Sequence, residues 1–317
     1  MKVQPEYSLD YDAVVVGAGF SGLYMLYLLR EAGYSVKVYE AAKDVGGVWY
    51  WNRYPGARCD SESIYYNYTF SKELYEEWSW SSRFATQPEI LDYLNFVADR
   101  FDLRRDIEFG TRVRSAHFNE TYNTWDITLD DGVTVQSQFF ITGVGCLSTA
   151  NLPQFPGIDR FNGDWFHTGN WPHEGVDFRG KRVGIIGTGS SGIQSIPVIA
   201  KEAEHLTVFQ RTPQYSIPAN NHPYDKTFND RVKGDFENLR KTMRHSNSGL
   251  AIPPGERSAL EDPPQKRKEI FEKAWEKGSL YLLNTYNDFM VNAEANESVC
   301  RFIRDKIGEI VEDPELA

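Results

Sequence analysis

The chain has 317 residues, of which 41% are apolar and 25% are charged, and its formal net charge is −11. This length allows about two globular domains, and the acidic balance disfavours nucleic acid or an anionic membrane surface as a partner. No apolar run approaches the ~20 residues of a membrane span. We expect a cytoplasmic protein, because residues 1–12 contain no signal-peptide-like apolar region and three scattered cysteines, Cys59, Cys146 and Cys300, form no disulfide or zinc pattern.

The first forty residues predict a strand, a helix and a second strand. The run YDAVVVG (11–17) is typical of a buried parallel strand, and LYMLYLLREAG (23–33) predicts a helix that ends at Gly33. YSVKVYE (34–40) predicts the returning strand. This crossover is short enough for a βαβ unit.

A helix and a meander are predicted next. Residues 87–103 have apolar side chains at helical spacing. Three alternating runs, at 112–118, 124–132 and 133–145, predict an antiparallel meander whose last strand is buried.

A second βαβ unit follows from Lys181. KRVGIIG (181–187) predicts a buried strand, 193–203 a helix, and LTVFQR (206–211) the next strand. Pro197 inside this helix predicts a kink or a late restart. Residues 225–312 are rich in Lys and Glu and predict a mostly helical excursion.

Two glycine loops connect the strands and helices of these units. GAGFSG (17–22) and GTGSSG (187–192) each follow a predicted buried strand and open a predicted helix, the context in which G-x-G-x-x-G binds a dinucleotide pyrophosphate. A strand–helix turn that simply needs glycine is the alternative, which the repeated context disfavours. The matching glycines are Gly17, Gly19 and Gly22, and Gly187, Gly189 and Gly192.

The strand ends distinguish the two ligands. Glu40 ends the first unit, and a carboxylate there can accept both ribose hydroxyls of FAD or NAD. The second unit ends in QRTP, where Arg211 and Thr212 offer donors suited to the 2′-phosphate of NADPH. A solvated arginine at a strand end is the alternative for Arg211. We therefore predict FAD or NAD on the first loop and NADPH on the second.

A chain with two dinucleotides is most simply a flavoprotein in which NADPH reduces FAD. It lacks the cysteine pair of a disulfide reductase, and its six histidines are scattered, so no metal site is predicted and O2 is the favoured electron acceptor.

We predict an α/β fold with two Rossmann-like dinucleotide-binding domains, for FAD and NADP, a small antiparallel meander and a helical excursion. The predicted domains are 1–147 for FAD, 148–223 for the linker and NADP, and 224–317 for the excursion.

Two further stretches resemble Baeyer–Villiger monooxygenases of the phenylacetone and cyclohexanone monooxygenase type. They are GGVWYWNRYPGARCDSES (46–63) and FNGDWFHTGNWP (161–172). The second stretch matches the family fingerprint F-x-G-x-x-x-H-x-x-x-W-P at Phe161, Gly163, His167, Trp171 and Pro172. Flavin monooxygenases that act on amines or sulfides share the glycine loops but usually differ at the Trp-Pro that ends this fingerprint.

The resemblance implies a set of cofactor-binding residues. For FAD these are Gly17, Gly19, Phe20, Ser21, Gly22, Glu40, Gly47, Val48, Trp49, Asp60, Tyr66 and Val113. For NADP they are Arg58, Cys59, Asp60, Gly187, Thr188, Gly189, Ser190, Ser191, Gly192, Arg211 and Thr212.

The resemblance also implies the reaction. Reduced flavin and O2 form a C4a-peroxyflavin that attacks a small-molecule ketone and yields an ester or lactone, while bound NADP⁺ helps to exclude water. Asp60 would be catalytic by setting the charge of an arginine that stabilises the intermediate. An aspartate that caps its loop and pairs with Arg58 is the alternative. The fingerprint would be a hinge between the two cofactor domains, with His167 as a coupling residue, or else a rigid aromatic linker.

Members of this family are usually much longer than this chain, so we expect a fragment whose catalytic arginine lies beyond Ala317 in a Lys-Arg pair. Two alternatives remain open at this stage. One is a flavin monooxygenase that oxidises amines or sulfides, and the other is an inactive, truncated dinucleotide-binding remnant.

Overall fold

The computed structural model describes residues 8–313. The predicted lack of a signal peptide rests in part on residues 1–7, which lie outside this range, as do residues 314–317 of the predicted excursion. The chain divides into two compact units. Unit 1 contains the chain up to Ala57, Thr86–Val183 and Ile193–Leu206, and unit 2 contains Arg58–Ala85, Gly184–Gly192 and the chain from Thr207. The three predicted domains were divided by the cofactor that each would bind, whereas these two units are divided by packing. The predicted domains therefore stay predictions.

A six-stranded mixed sheet forms the centre of unit 1. Its strands, in chain order, are β1 (Tyr11–Val16), β2 (Val36–Glu40), β3 (Ile107–Phe109), β4 (Val113–Asn119), β5 (Thr124–Leu129) and β6 (Thr134–Thr142). The spatial order is β3-β2-β1-β6-β5-β4. Strand β1 pairs in parallel with β2 and with β6, and β2 pairs in parallel with β3. Strand β5 pairs antiparallel with β4 and with β6. The predicted βαβ unit and the predicted meander are therefore confirmed, and they share one sheet.

The remaining elements are a two-stranded sheet and the helices. The sheet consists of β7 (Arg182–Ile186) and β8 (His205–Phe209). The α-helices in the described part of the chain are α1 (Phe20–Glu31), α2 (Val48–Trp51), α3 (Lys72–Glu77), α4 (Gln87–Arg100), α5 (Ser190–Ile199), α6 (Lys226–Gly234), α7 (Phe236–His245), α8 (Pro264–Lys277) and α9 (Ala293–Ile310). The mixed α/β class and the helical excursion are confirmed.

The apolar periodicity of the chain explains the core of unit 1. On α4 the side chains of Ile90, Tyr93, Leu94 and Val97 are buried, which is the spacing of one helix face. The β-branched residues at the centre of β1 are fully buried, as expected for a parallel strand with neighbours on both edges. None of the helices between residues 8 and 313 combines the length and the apolar character that a membrane crossing requires.

Three sequence predictions are corrected by burial and helix bounds. The strands predicted to be buried at 133–145 and 181–187 carry exposed apolar side chains: Phe139 is 47% exposed and Ile186 67%. An apolar run predicts a strand, but it does not establish that a second layer covers it. The late restart at Pro197 is also wrong, because α5 is continuous from Ser190 and ends two residues after the proline. The short elements α3 and β3 were not predicted.

Unit 2 contains an apolar helical core and a buried ion pair. Phe271 of α8 packs against Phe302 of α9, with ring centroids 5.4 Å apart. Arg83 and Glu62 are 7% and 8% exposed, and Arg83 donates to Glu62 Oε1 from Nη2 at 2.7 Å and from Nε at 3.1 Å. Arg83 Nη1 also donates to the carbonyl of Lys277, so this pair joins the Arg58–Ala85 segment to the end of α8.

Candidate cofactor-binding site

The first glycine loop joins β1 to α1 in unit 1. The backbone N–H of Gly17 donates to the carbonyl of Tyr39 at 2.8 Å, which places the loop beside the end of β2. Gly19 is the N-cap of α1, no side chain caps this helix end, and no acidic residue lies in its first turn. The amides of the first turn and the positive end of the helix dipole therefore suit an anionic ligand.

Close backbone approach explains the glycines of this loop. A Cβ atom on Gly22 would overlap the carbonyl oxygen of Gly17. A Cβ on Gly19 would lie 3.3 Å from the Cα of Gly47, and one on Gly47 would lie 3.0 Å from the Cα of Gly19. Gly19 and Gly47 thus bound a narrow cradle that side chains would fill. The cradle fits a pyrophosphate group held by backbone amides.

Glu40 fixes this loop from the end of β2. The side chain is 6% exposed; Oε2 accepts the Ala18 N–H at 2.6 Å, and Oε1 accepts the Ala42 N–H at 2.7 Å. A carboxylate has about four acceptor positions, so two remain for ribose hydroxyls. The backbone of Glu40 also accepts from Thr111 N at 3.0 Å, which brings the segment before Val113 to the same strand end.

Two residues predicted beside the flavin lie on α2. Val48 and Trp49 are half-buried and directly follow Gly47. Gln87 donates from Nε2 to the backbone carbonyl of Trp49, which ties α2 to the start of α4. Unit 1 therefore brings Gly17–Gly22, Glu40, Gly47–Trp49 and Val113 into one structural unit.

The second glycine loop begins at the end of β7, in unit 2. Gly187 N donates to the carbonyl of Phe209 at 2.9 Å, so the loop lies beside the end of β8. A Cβ on Gly192 would overlap the carbonyl oxygen of Gly187, the same close approach as in the first loop. A Cβ on Gly187 or Gly189 would meet nothing within 4 Å. This loop therefore faces open space that a ligand could occupy.

Thr188 provides an independent indication of a ligand at this loop. Its Oγ1 atom is buried and has no hydrogen-bond partner among the described residues. A buried polar group without a partner costs about 1–3 kcal/mol, and a phosphate oxygen would supply the missing acceptor. α5 begins at Ser190 with no acidic residue in its first turn, which suits the same ligand.

Arg211 and Thr212 follow β8 and are both exposed. Arg211 makes no ion pair with any residue between 8 and 313, so its guanidinium is available to a 2′-phosphate. The strand end contains no carboxylate that would compete for it.

The Arg58–Tyr66 segment also lies in unit 2. Cys59 is 2% exposed and burial raises the pKa of its thiol to about 12, so the side chain is an inert core group. Its N–H donates to the carbonyl of Ala85 at 3.1 Å, so this backbone N–H is already engaged within unit 2. Asp60 is exposed. Burial, with smaller contributions from Cys59 and Asp60, raises the pKa of Tyr66 to about 12, so the phenol stays protonated near neutral pH.

The fingerprint stretch is anchored at its aromatic end, in unit 1. Trp171 is 8% exposed and lies between Phe166 and Phe178, with ring centroids 5.6 and 6.3 Å away. The Nδ1 atom of His167 accepts the Gly169 N–H at 3.1 Å. Phe161 is 60% exposed, Gly163 is exposed and Pro172 is half-buried.

Sequence reasoning missed several residues that shape the site. The N–H groups of Ala18 and Ala42 hold Glu40, and no side-chain pattern indicates this role. Gly46 donates to the carbonyl of Ala18 at 3.0 Å, and the Gly46-Gly47 pair was the only available signal. Within residues 8–313 no three His, Cys, Asp or Glu side chains cluster as metal ligands.

Two curated proteins are similar to this chain in sequence. The Baeyer–Villiger monooxygenase of Pseudooceanicola batsensis is 46% identical over 311 residues, and phenazine N-monooxygenase of Lysobacter antibioticus is 42% identical over 310 residues. Each alignment covers 97% of this chain and 57% of the relative. The chain therefore spans 57% of the length of these relatives.

A solved structure is also similar to this chain. The structure of OTEMO in complex with FAD and NADP aligns with a TM-score of 0.94 and 38% identity, covering 98% of this chain and 60% of that one. The resemblance to Baeyer–Villiger monooxygenases predicted from 46–63 and 161–172 is confirmed. A family model described as flavin-binding monooxygenase-like matches residues 11–246. This match covers most of the chain, which therefore belongs to the flavin-binding monooxygenase-like family.

Proposed function

We propose that this protein takes part in NADPH- and O2-dependent conversion of ketones to esters or lactones. The observation that carries the proposal is the pair of glycine loops with chemically different strand ends. The first loop is fixed by the buried carboxylate of Glu40, and the second is followed by the exposed guanidinium of Arg211. An unphosphorylated adenosine ribose fits the first, and a 2′-phosphate fits the second.

The residues present fit FAD at the first loop. The Gly19–Gly47 cradle and the uncapped first turn of α1 offer backbone amides to the pyrophosphate. Glu40 would accept the ribose hydroxyls with the acceptor positions that Ala18 and Ala42 leave free. FAD, when bound, supplies the redox chemistry that activates O2.

The residues present also fit NADPH at the second loop. Thr188 Oγ1 would donate to a phosphate oxygen, and the first turn of α5 would receive the pyrophosphate. Arg211 and Thr212 would hold the 2′-phosphate. Cys59 would contribute only its backbone carbonyl, because its thiol is buried.

Asp60 is proposed to act through charge. It is exposed, and its carboxylate would stabilise a neighbouring guanidinium, which in turn would stabilise negative charge in the transition state. The fingerprint stretch is proposed to be a hinge, supported by its anchored Trp171 and its Gly163 and Gly169 breaks. A cytoplasmic location is part of the proposal and is supported by three free cysteines.

A second candidate, oxidation of amines or sulfides, has one supporting observation: the 42% identical phenazine N-monooxygenase. One experiment separates the candidates. The protein is incubated with FAD, NADPH and isotopically labelled O2, with a panel of ketones and a panel of amines and sulfides, and products are analysed by mass spectrometry. An ester or lactone with one labelled oxygen supports the first candidate, and N- or S-oxides alone support the second. Nucleotide binding without product supports a binding remnant.

The role of Asp60 has its own test. Asp60→Asn should lower product formation by about tenfold or more while FAD stays bound, because electrostatic stabilisation of the transition state is lost. Asp92→Asn, an exposed aspartate on α4, is the matched control and should leave the rate unchanged. Full activity in Asp60→Asn would contradict the catalytic role and would indicate that Asp60 only caps its loop.

A further inference from the structure

We propose that Tyr54 and Gly56 are positioning residues for the second dinucleotide, because together they hold Gln194 on α5, the helix that opens at GTGSSG. This proposal depends on the proposed function in one respect only, the assignment of NADP to that loop. The three residues belong to unit 1, and they lie outside both glycine loops.

Two different contacts converge on Gln194. The Tyr54 O–H donates to Gln194 Oε1 at 2.9 Å, a contact of the side chain. Gly56 has φ +81°, and a Cβ there would overlap the carbonyl oxygen of Gln194 and lie 3.0 Å from Val198 Cγ2. The backbone at Gly56 therefore packs directly on the backbone of α5. The loop after α2 fixes one residue of α5 by its side chain and by its carbonyl.

The position of Gln194 makes this contact relevant to the ligand. It lies two residues after Gly192, in the first turns of the helix whose N-terminal amides would face the phosphates of a bound dinucleotide. A shift of α5 would therefore move these amides by a similar amount. Pro197 has no N–H, so the carbonyl of Ile193 loses its intrahelical partner, and α5 is not fully supported by its own hydrogen bonds. Contacts from outside the helix therefore help to fix its position.

The same loop continues into a segment predicted to meet NADP. Arg58 follows Gly56 by two residues. The effect on affinity is one of preorganisation. Without these contacts, only a fraction of the molecules hold α5 in the position that binds the nucleotide, and the observed affinity is the intrinsic affinity multiplied by that fraction.

The test compares nucleotide binding in single variants. Tyr54→Phe removes the hydrogen bond without changing the ring, and Gly56→Ala adds the clashing Cβ. Tyr34→Phe and Gly132→Ala are matched controls, because Tyr34 is an exposed ring and Gly132 has φ +90° with nothing within 4 Å of an added Cβ. Dissociation constants for NADP⁺ and for FAD are measured by isothermal titration calorimetry, and circular dichroism checks folding.

Tyr54→Phe should weaken NADP⁺ binding about threefold, within the about tenfold that one hydrogen bond can contribute. Gly56→Ala should weaken it more, and both variants should bind FAD as the parent does. Gln194→Met should reproduce the loss, and adding Tyr54→Phe to it should cause no further loss. The controls should bind both nucleotides as the parent does.

Parent-like NADP⁺ affinity in folded Tyr54→Phe and Gly56→Ala would overturn the proposal, and so would an equal loss of FAD affinity. Additive losses in the Tyr54→Phe, Gln194→Met double variant would also overturn it. A parent protein that binds no NADP⁺ contradicts the proposed function itself, so the two failures are distinguishable.

Discussion

Replacing Glu40 by glutamine tests how the first glycine loop is held. The carboxylate accepts one N–H from Ala18 and one from Ala42, and it is 6% exposed. An amide of the same shape has one oxygen, so one of these N–H groups must face an NH2 group. A hydrogen bond to a charged group contributes about 1.5–3 kcal/mol, and an unsatisfied buried donor costs a similar amount. We expect the free energy of unfolding to fall by about 2–3 kcal/mol.

The same change should weaken FAD binding. The lost acceptor serves both the loop and the ribose, so about 1.5–3 kcal/mol of binding free energy is lost, which corresponds to about tenfold to 100-fold in Kd. NADP⁺ affinity should not change, because Glu40 lies in the first loop's unit.

Urea unfolding of the apoprotein and quenching of flavin fluorescence measure the two effects. Glu108→Gln is the control: its side chain is 45% exposed in a salt bridge with Lys37, so its loss should change stability by less than about 1 kcal/mol. Parent-like stability together with parent-like FAD affinity in Glu40→Gln would refute the reasoning.

Three further predictions concern separate features. Arg211→Ala should weaken NADPH far more than NADH, because only NADPH has a 2′-phosphate; an unchanged preference in binding titrations would contradict the assignment of the second loop. At pH 8 only ~10⁻⁴ of Cys59 is thiolate at its raised pKa of about 12, so peptide mass spectrometry after alkylation of the native protein should find label on exposed Cys146 and none on Cys59. Glu62→Gln should lower the free energy of unfolding by about 3 kcal/mol in urea melts, because it leaves Arg83 as an uncompensated buried charge; a loss below about 1 kcal/mol would show that the pair is not desolvated.

The sequence predicted the first βαβ unit and both glycine loops, because each has a local signal. Gly17, Gly19 and Gly22 carry a spacing that only close backbone approach requires, and Glu40 ends the strand that follows. In the sheet of unit 1, the meander and the βαβ unit pair through β1 and β6, a pairing that the sequence did not predict. Helix α4 was equally visible, because its buried residues follow helical periodicity.

Non-local features were not predictable in the same way. The hydrogen bond between Tyr54 and Gln194 spans 140 residues of sequence, and neither residue belongs to a motif that names the other. The exposure of Phe139 and Ile186 was missed because apolar composition predicts a strand and cannot establish which layer packs on it.

The most direct test of the account is the number and identity of bound nucleotides in three proteins: the parent, Gly22→Ala and Gly192→Ala. Calorimetric titrations with FAD and with NADP⁺ should give one site for each nucleotide in the parent, without competition between them. Gly22→Ala should lose FAD and keep NADP⁺, and Gly192→Ala should lose NADP⁺ and keep FAD, because each added Cβ overlaps a carbonyl of its own loop. Competition for a single site, or a parent that binds no FAD, would contradict the central claim that two separate loops hold two different dinucleotides.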